Sequence, residues 1–139
     1  MEDEFEIKGN GYFKLLITRV HGFPEDISYH GGYEIECLLE IDSEGFKVTT
    51  SEFWASTGEL LEFYNQLKKT NSELSGTAYF RTYEYNLILT VNYDVNGHVS
   101  VIGEYRYWGD NLKFKIDSDQ SYIQHTLIQL QKIITKYTV

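Results

Sequence analysis

The segment KIDSDQSYIQHTL, residues 115–127, holds the densest group of side chains that could do chemistry. Asp117, Asp119 and His125 are residue types that bind metal ions, although a site would need a further ligand from elsewhere in the chain. The segment also suits a helix start, because the short side chains of Asp117, Ser118 and Asp119 can each accept a hydrogen bond from a free helix N–H group. Negative charge there also favours the positive end of the helix dipole. We therefore predict that one of these three caps a helix, and we expect no metal ion.

Two further groups carry residue types used in acid–base catalysis. His98 faces Asp94 across a predicted hairpin, but polar cross-strand pairs are common at hairpin ends, so we favour a structural role. Glu34, Glu36 and Glu40 alternate along one predicted strand, on the side opposite its apolar residues. Paired carboxylates act as acid and base only where one of them is buried. These three are expected on a solvated face.

The remaining patterns give no support for an enzyme. Cys37 lies on the apolar side of its predicted strand and is expected to be a small core residue. It is the only cysteine, which excludes an intramolecular disulfide and a metal site of several cysteines. Gly-x-Ser-x-Gly, P-loop and dinucleotide-binding patterns are absent from the sequence. We therefore predict no catalysis and no cofactor.

The elements that carry these residues predict an α+β protein. Four stretches between residues 76 and 117 alternate apolar and polar side chains, which indicates a meander of four antiparallel strands. Similar but noisier stretches precede them, for a total of about 6–8 strands. Helical spacing of apolar residues occurs at about 57–69 and 119–136, the first beginning with the capping-box pattern Ser56-x-x-Glu59. We expect residues 1–139 to form a single domain, largely antiparallel sheet, with the apolar stripe of each helix on a sheet face.

Turn residues predict the register of the meander. A three-residue loop, 95–97, pairs Tyr93 with Val99, keeps one face apolar, and puts Gly97 in the left-handed conformation of a bulge. We also expect a turn at residues 85–86 and another over 108–111. The neighbours predicted across these two turns are Ala78 with Tyr93 and Leu112 with Tyr107.

Charge and hydropathy restrict the kinds of partner. The formal net charge is −9, from 21 acidic and 12 basic residues. This argues against nucleic acid and against an anionic membrane surface, both of which attract Lys and Arg. No apolar run is long enough to span a bilayer and the acidic N-terminus is unlike a signal peptide, so we expect a cytoplasmic location. The acidity is explained either by solubility or by a basic partner.

Five spaced motifs follow one another along the chain. They are Glu59-Leu60-x-x-Phe63, Leu74-x-Gly76-x-Ala78-x-Phe80, Glu84-x-x-Leu87-x-Leu89, Gly97-His98-Val99-x-Val101 and Asp119-Gln120-Ser121-Tyr122. Together they resemble the WapI family of bacterial immunity proteins, over roughly residues 46–134. The Gly-His-Val and Asp-Gln-Ser-Tyr pieces are the most specific part. The shared residues are typical of turns, caps and core.

The resemblance implies a cytoplasmic protein that neutralises a cognate toxin domain, from a contact-dependent or secreted polymorphic toxin, in a stoichiometric complex. A basic nuclease would fit the negative charge, because nucleases must attract phosphate. We expect acidic residues to steer the partner and aromatic residues to anchor it. The candidate contacts are Glu34, Glu36 and Glu40 for steering, with Tyr83, Tyr85 and Trp108 as anchors. The sequence gives no support for a homo-oligomer.

Two alternatives from other classes remain open. A small-molecule- or lipid-binding α+β domain would show a buried apolar pocket, lined by some of the many aromatic residues. A hydrolase would need His98 or His125 in a cleft within hydrogen-bond reach of a carboxylate. Tyr79, Arg81 and Tyr83 are predicted to point outward from the meander, with Trp108 in a loop. These side chains are either exposed or covered by a helix.

Overall fold

The computed structural model describes residues 3–28 and 31–137. The sequence also predicts a long connection over residues 21–32, rich in turn-forming residues, which lies partly outside the described residues. Four strands and a helix are followed by four more strands and a second helix. The first group is β1 (Asp3–Lys8), β2 (Tyr12–His21), β3 (Glu34–Asp42), β4 (Lys47–Ser56) and α1 (Thr57–Glu73). The second group is β5 (Gly76–Arg81), β6 (Leu87–Tyr93), β7 (His98–Tyr107), β8 (Asp110–Asp119) and α2 (Gln120–Lys136).

The strands form two antiparallel sheets, each in chain order, which face one another. We call β1–β4 the first sheet and β5–β8 the second sheet. The rings of Phe13 and Phe114 stack across the interface with centroids 6.4 Å apart, and the Ser51 hydroxyl meets that of Tyr105. One continuous apolar cluster includes inward residues of both sheets and both helices. The predicted α+β class, the antiparallel pairing, the meander and the two helices are confirmed.

The helices lie along the open edges of the sheets and not on their faces. On α1, Gln66 Oε1 accepts a hydrogen bond of 2.9 Å from the backbone N–H of Tyr79, on edge strand β5. On α2, Gln129 Oε1 accepts from Glu6 N at 3.0 Å, and the Thr126 hydroxyl donates to Glu6 O at 2.7 Å, on edge strand β1. These side chains satisfy backbone groups that an unpaired edge strand would otherwise expose. The expectation that each helix covers a sheet face is therefore wrong.

The helix positions leave both outer sheet faces accessible. The apolar stripes of α1 and α2 instead complete the core from the side, through Leu60, Phe63 and Leu67 on α1 and Ile123, Leu127 and Leu130 on α2. Trp54, on the outer side of the first sheet, is 40% exposed, and Ile102, on that of the second, is 48% exposed. Neither described helix is long and apolar enough to cross a membrane.

The hairpin between β6 and β7 has the predicted register. Tyr93 lies opposite Val99 and Val91 opposite Val101, and Asp94 N donates to His98 O at 3.0 Å across the three-residue loop. Gly97 has a φ of 73°, as the left-handed position requires. Both parts of this prediction are confirmed.

The other two registers of the meander were predicted wrongly, each by two residues. Ala78 lies opposite Val91, because the connection after Thr82 is a four-residue turn in which Thr82 N donates to Leu87 O and Tyr85 has a φ of 56°. Leu112 lies opposite Tyr105, because the β7–β8 turn has only two residues. These are Trp108 and Gly109, with φ of 52° and 88°, as in a type I′ turn. A shift of two residues keeps every side chain on its predicted face.

Both predicted helix caps are present. In α1, Glu59 N donates to Ser56 Oγ at 3.2 Å and Ser56 N donates to Glu59 Oε1 at 2.7 Å, which completes the capping box. In α2, Tyr122 N donates to Asp119 Oδ1 at 3.0 Å. Asp117 and Ser118 belong to β8, and the Ser118 hydroxyl donates to Lys8 O instead. One of the three candidates is thus the cap.

Candidate functional site

The segment at residues 115–127 does not assemble into a catalytic group. Asp119 is engaged as the cap, and Asp117 Oδ1 lies 3.7 Å from both Lys115 Nζ and His98 Nε2. His125 is exposed on α2 and lines a surface cavity of about 170 Å³. Within residues 3–28 and 31–137, no three His, Cys, Asp or Glu side chains are placed to hold a metal ion.

The other two candidates for acid–base or nucleophilic chemistry have structural surroundings. His98 N donates to Asp94 Oδ1 at 3.2 Å, so the two residues are joined through the backbone at the end of the hairpin. Cys37 is buried in the core of the first sheet. Burial, together with the charges of Glu59 and Glu36, raises the pKa of the Cys37 thiol, which disfavours the reactive thiolate.

The outer face of the first sheet is acidic, and we call it the acidic face. The registers of the paired strands place seven carboxylates and four cationic side chains on the outward side of β1–β4. The carboxylates are those of Glu4, Glu6, Glu34, Glu36, Glu40, Asp42 and Glu52, and the cations are Lys8, Lys14, Arg19 and Lys47.

Cations neutralise mainly the β1 side of the acidic face. Lys14 Nζ lies 3.1 Å from Glu4 Oε2, and Lys8 Nζ lies 3.4 Å from Glu6 Oε1. The hydrogen bond to Glu4, with the nearby Glu40 and Glu6 charges, raises the pKa of Lys14. In the part of the chain that the structure describes, none of the acids on β3 and β4 forms an ion pair with Lys or Arg. These are Glu34, Glu36, Glu40, Asp42 and Glu52. Lys14 and Arg19 lie across the ladder from Glu40 and Glu36, and Lys47 lies across from Asp42, without forming an ion pair with them. The β3–β4 side of the face is therefore only partly neutralised.

Aromatic side chains border these acids. The Tyr83 hydroxyl donates to Glu34 Oε1 at 3.0 Å, and burial followed by this hydrogen bond raises the pKa of Tyr83 to about 12. His21 Nε2 lies 3.4 Å from Glu36 Oε2, and its ring stacks on Trp54 with centroids 5.2 Å apart. His21 Nε2 is buried and forms no hydrogen bond with the described residues. Tyr83, Glu34, Glu36, His21 and Trp54 thus form a continuous acidic and aromatic patch.

The structure brings together only some of the predicted contact residues. Glu34, Glu36 and Glu40 share the acidic face, and Tyr83 is bonded to it. Tyr85 and Trp108 project from the β5–β6 and β7–β8 turns, where they are 57% and 89% exposed. Trp108 packs edge-on against Tyr107, with centroids 6.2 Å apart. Successive antiparallel connections put these two turns at the same end of the second sheet.

Sequence reasoning missed a groove centred on Trp54. The groove has a volume of about 320 Å³, and we call it the Trp54 groove. It is lined by the outward residues Thr18, Glu36, Leu38, Glu52 and Trp54, together with Cys37 and Phe53. The alternation in FKVTTSEFW could have indicated it, because Trp54 follows the inward Phe53 and so falls on the outward, otherwise polar side of the strand.

Comparison with known families identifies the chain's relatives. The model of the family described as "Immunity protein WapI-like family" matches residues 4–138. The chain belongs to this family. The match includes β1–β3, which the resemblance over residues 46–134 did not cover. No curated protein and no solved structure matches the chain significantly.

The second sheet of this WapI-like protein has a different outer face. Arg81 lies 4.3 Å above the ring of Tyr79, and Arg106 Nη2 lies 2.8 Å from Glu104 Oε1. Tyr79 is exposed, so a helix does not cover it. Four cations and three acids point outward from the β5–β8 ladder. They are Arg81, Arg106, Lys113 and Lys115, with Glu104, Asp117 and Asp119.

Other cavities of this family member lie at the surface among polar side chains. A cavity of about 400 Å³ between the helices is lined by Tyr64, Lys68, Gln124 and Ile128, among others. Another of about 240 Å³ includes Asn10, Glu44, Lys113 and Lys115. The small-molecule alternative expects a buried apolar pocket, and these cavities do not have that character.

Proposed function

We propose that this immunity-family protein binds a cognate toxin domain through the acidic face and neutralises it by forming a stoichiometric complex. The observation that carries the proposal is the open face on which Glu34, Glu36, Glu40 and Glu52 form no ion pair with Lys or Arg among the described residues. Carboxylates held close together repel one another, so a cationic partner relieves that repulsion when it binds.

The proposed partner is a basic toxin domain, and a nuclease has the required chemistry. An enzyme that acts on nucleic acid must present Lys and Arg to the phosphate backbone. The same cations would be attracted to the acidic face, and their burial in the complex would block access to phosphate. The proposed inhibitor therefore acts by binding, in the cytoplasm where it would meet the toxin, without chemistry of its own.

The aromatic residues beside the acids would supply affinity. Tyr83 is held by its bond to Glu34, and Trp54 by stacking on His21, so both rings are ordered before the partner arrives. Pre-ordered side chains lose less conformational entropy on binding. Tyr85 and Trp108, which project from neighbouring turns, would extend the contact beyond the sheet.

Co-expression in a sensitive host with the toxin domain encoded by the neighbouring gene tests the function. The wild-type protein should rescue growth and co-purify with the toxin domain. The double variant Glu34→Gln/Glu36→Gln should bind at least about tenfold more weakly, because it removes two negative charges from the proposed contact surface. The control, Glu62→Gln/Glu73→Gln, removes the same charge from exposed positions on α1 and should bind like the wild type.

Two results would contradict the proposal at different points. Death of cells that contain abundant, folded wild-type protein would exclude neutralisation of that toxin. Equal affinity of the two double variants would leave neutralisation standing but exclude the acidic face as the binding surface.

A further inference from the structure

We propose that the Trp54 groove is a subsite for one arginine side chain of the basic partner. This inference rests on the proposed function, since it assigns a specific contact within the acidic face. The guanidinium would stack on the indole of Trp54 and pair with Glu36 and Glu52.

The β3–β4 register builds the groove as a square of four outward side chains. Glu36 lies directly opposite Trp54, and Leu38 lies directly opposite Glu52. The two carboxylates are therefore diagonal neighbours, a relation that spans about 7–8 Å between backbones in an antiparallel pair. Trp54 and Leu38 occupy the other diagonal and form an apolar wall. A planar cation between the carboxylates would contact both acids and the indole face at once.

Neighbouring residues keep the groove open and its walls in place. The β2 register shifts between Ile17 and Arg19, and Thr18 at this bulge lines one end of the groove. His21 stacks on Trp54 and lies 3.4 Å from Glu36, so one ring supports both of these walls. Glu52 forms no ion pair with another described residue, which leaves its carboxylate available.

The shape of the groove favours arginine over lysine and over a small molecule. Guanidinium is planar, stacks on aromatic faces and offers five N–H donors, whereas the lysine ammonium is a compact and strongly hydrated charge. Carboxylates on two sides match the forked donors of a guanidinium. A volume of about 320 Å³ lies at the small end of ligand sites, which suits a single inserted side chain.

Fluorescence of Trp54 tests the subsite without the toxin. In a Trp108→Phe background Trp54 is the only tryptophan, and the probe is the peptide acetyl-Gly-Arg-Gly-amide. We expect a saturable change in emission, with a dissociation constant on the order of 10 mM, as for a single-residue contact. The lysine peptide should bind several-fold more weakly, and the citrulline peptide, which is uncharged but nearly the same shape, should give no saturable change. Sodium chloride keeps the ionic strength equal throughout.

Variants of the groove acids test the assignment of the walls. Glu36→Gln and Glu52→Gln should each weaken arginine-peptide binding, while Glu73→Gln on α1 should not. Equal responses to the arginine and citrulline peptides, or an unchanged response in both groove variants, would overturn the inference.

The complex with the toxin domain separates failure of the subsite from failure of the proposed function. Glu52→Gln and Trp54→Leu should each raise the dissociation constant about tenfold or more, with unchanged melting temperatures showing that the variants are folded. Absence of a complex with the wild-type protein would refute the proposed function. A complex that forms with wild-type affinity in both variants would refute only the arginine subsite.

Discussion

Gly97 ends the β6–β7 loop in a conformation that other residues adopt only at a cost. Its φ of 73° lies in the left-handed region, where a β-branched side chain is strongly disfavoured. An added Cβ would have free space, with the nearest atom, Gln120 Oε1, 3.8 Å away. The requirement for glycine at this position is therefore one of backbone conformation and not of room.

Gly97→Val should lower the free energy of unfolding by roughly 1 kcal/mol or more, because valine resists positive φ. Urea denaturation gives the measurement. The matched control is Gly45→Val in the β3–β4 turn, where φ is not left-handed and an added Cβ meets nothing within 4 Å. Equal unfolding free energies for the two variants would contradict the strain argument.

At the scale of elements, the start of α1 connects the helix to both sheets. Glu59 accepts from Ser56 N at the end of β4, and the backbone of Tyr83, after β5, also bonds to its carboxylate. The side chain is only 8% exposed. Burial raises the pKa of Glu59, and the hydrogen bonds from the Ser56 and Tyr83 backbones only partly oppose this. Ionisation of this capping-box carboxylate therefore lowers the free energy of unfolding.

Glu59→Gln should make stability less dependent on pH. As pH rises, Glu59 loses its proton in the unfolded chain, at a pKa of about 4.3, before it does so in the native protein. The wild type therefore loses stability as pH rises from that value through the native pKa of Glu59. Glutamine can still accept from Ser56 N but carries no charge. The stability of the variant relative to the wild type should therefore increase between pH 4 and pH 7.

Denaturation curves over that pH range measure this difference. The control Glu73→Gln removes a charge from an exposed position of the same helix and should show a much smaller pH dependence. A Glu59→Gln variant that became progressively less stable than the wild type with rising pH would show that the native fold favours the carboxylate.

The whole molecule is electrically polarised between its two outer faces. The first sheet presents seven carboxylates against four cations, whereas the second presents four cations against three carboxylates. The net charge of −9 attracts a basic partner at long range, and the difference between the faces would orient it toward the first sheet. A steered encounter depends on charges well outside the contact itself.

Glu40→Gln should therefore slow association with the toxin domain at low salt and leave the dissociation rate nearly unchanged. The difference from the wild type should largely disappear at about 0.5 M salt, because screening then acts over only a few ångströms. Stopped-flow kinetics measure both rates, with Glu73→Gln as the equal-charge control on α1. A change confined to the dissociation rate would identify Glu40 as a close contact and exclude steering.

The sequence predicted those features that depend on neighbouring residues. Strand alternation placed Cys37 in the core and Glu34, Glu36 and Glu40 on the outer side, because side chains on a strand alternate between two faces. The Ser56 and Asp119 caps and the left-handed Gly97 followed from local hydrogen bonding and backbone sterics. Each of these is decided within a few residues.

Tertiary structure decided which elements lie against one another. An amphipathic stripe requires burial but does not specify the covering surface, so α1 and α2 were wrongly placed on sheet faces when they lie along the edges of β5 and β1. The meander registers moved by two residues because turn length depends on side-chain bonds such as that from Leu87 N to Thr82 Oγ1. The Trp54 groove depends on the β3–β4 pairing, which places Trp54 opposite Glu36. Alternation within a strand predicts which face a side chain is on, but it does not predict which residue of the next strand lies opposite.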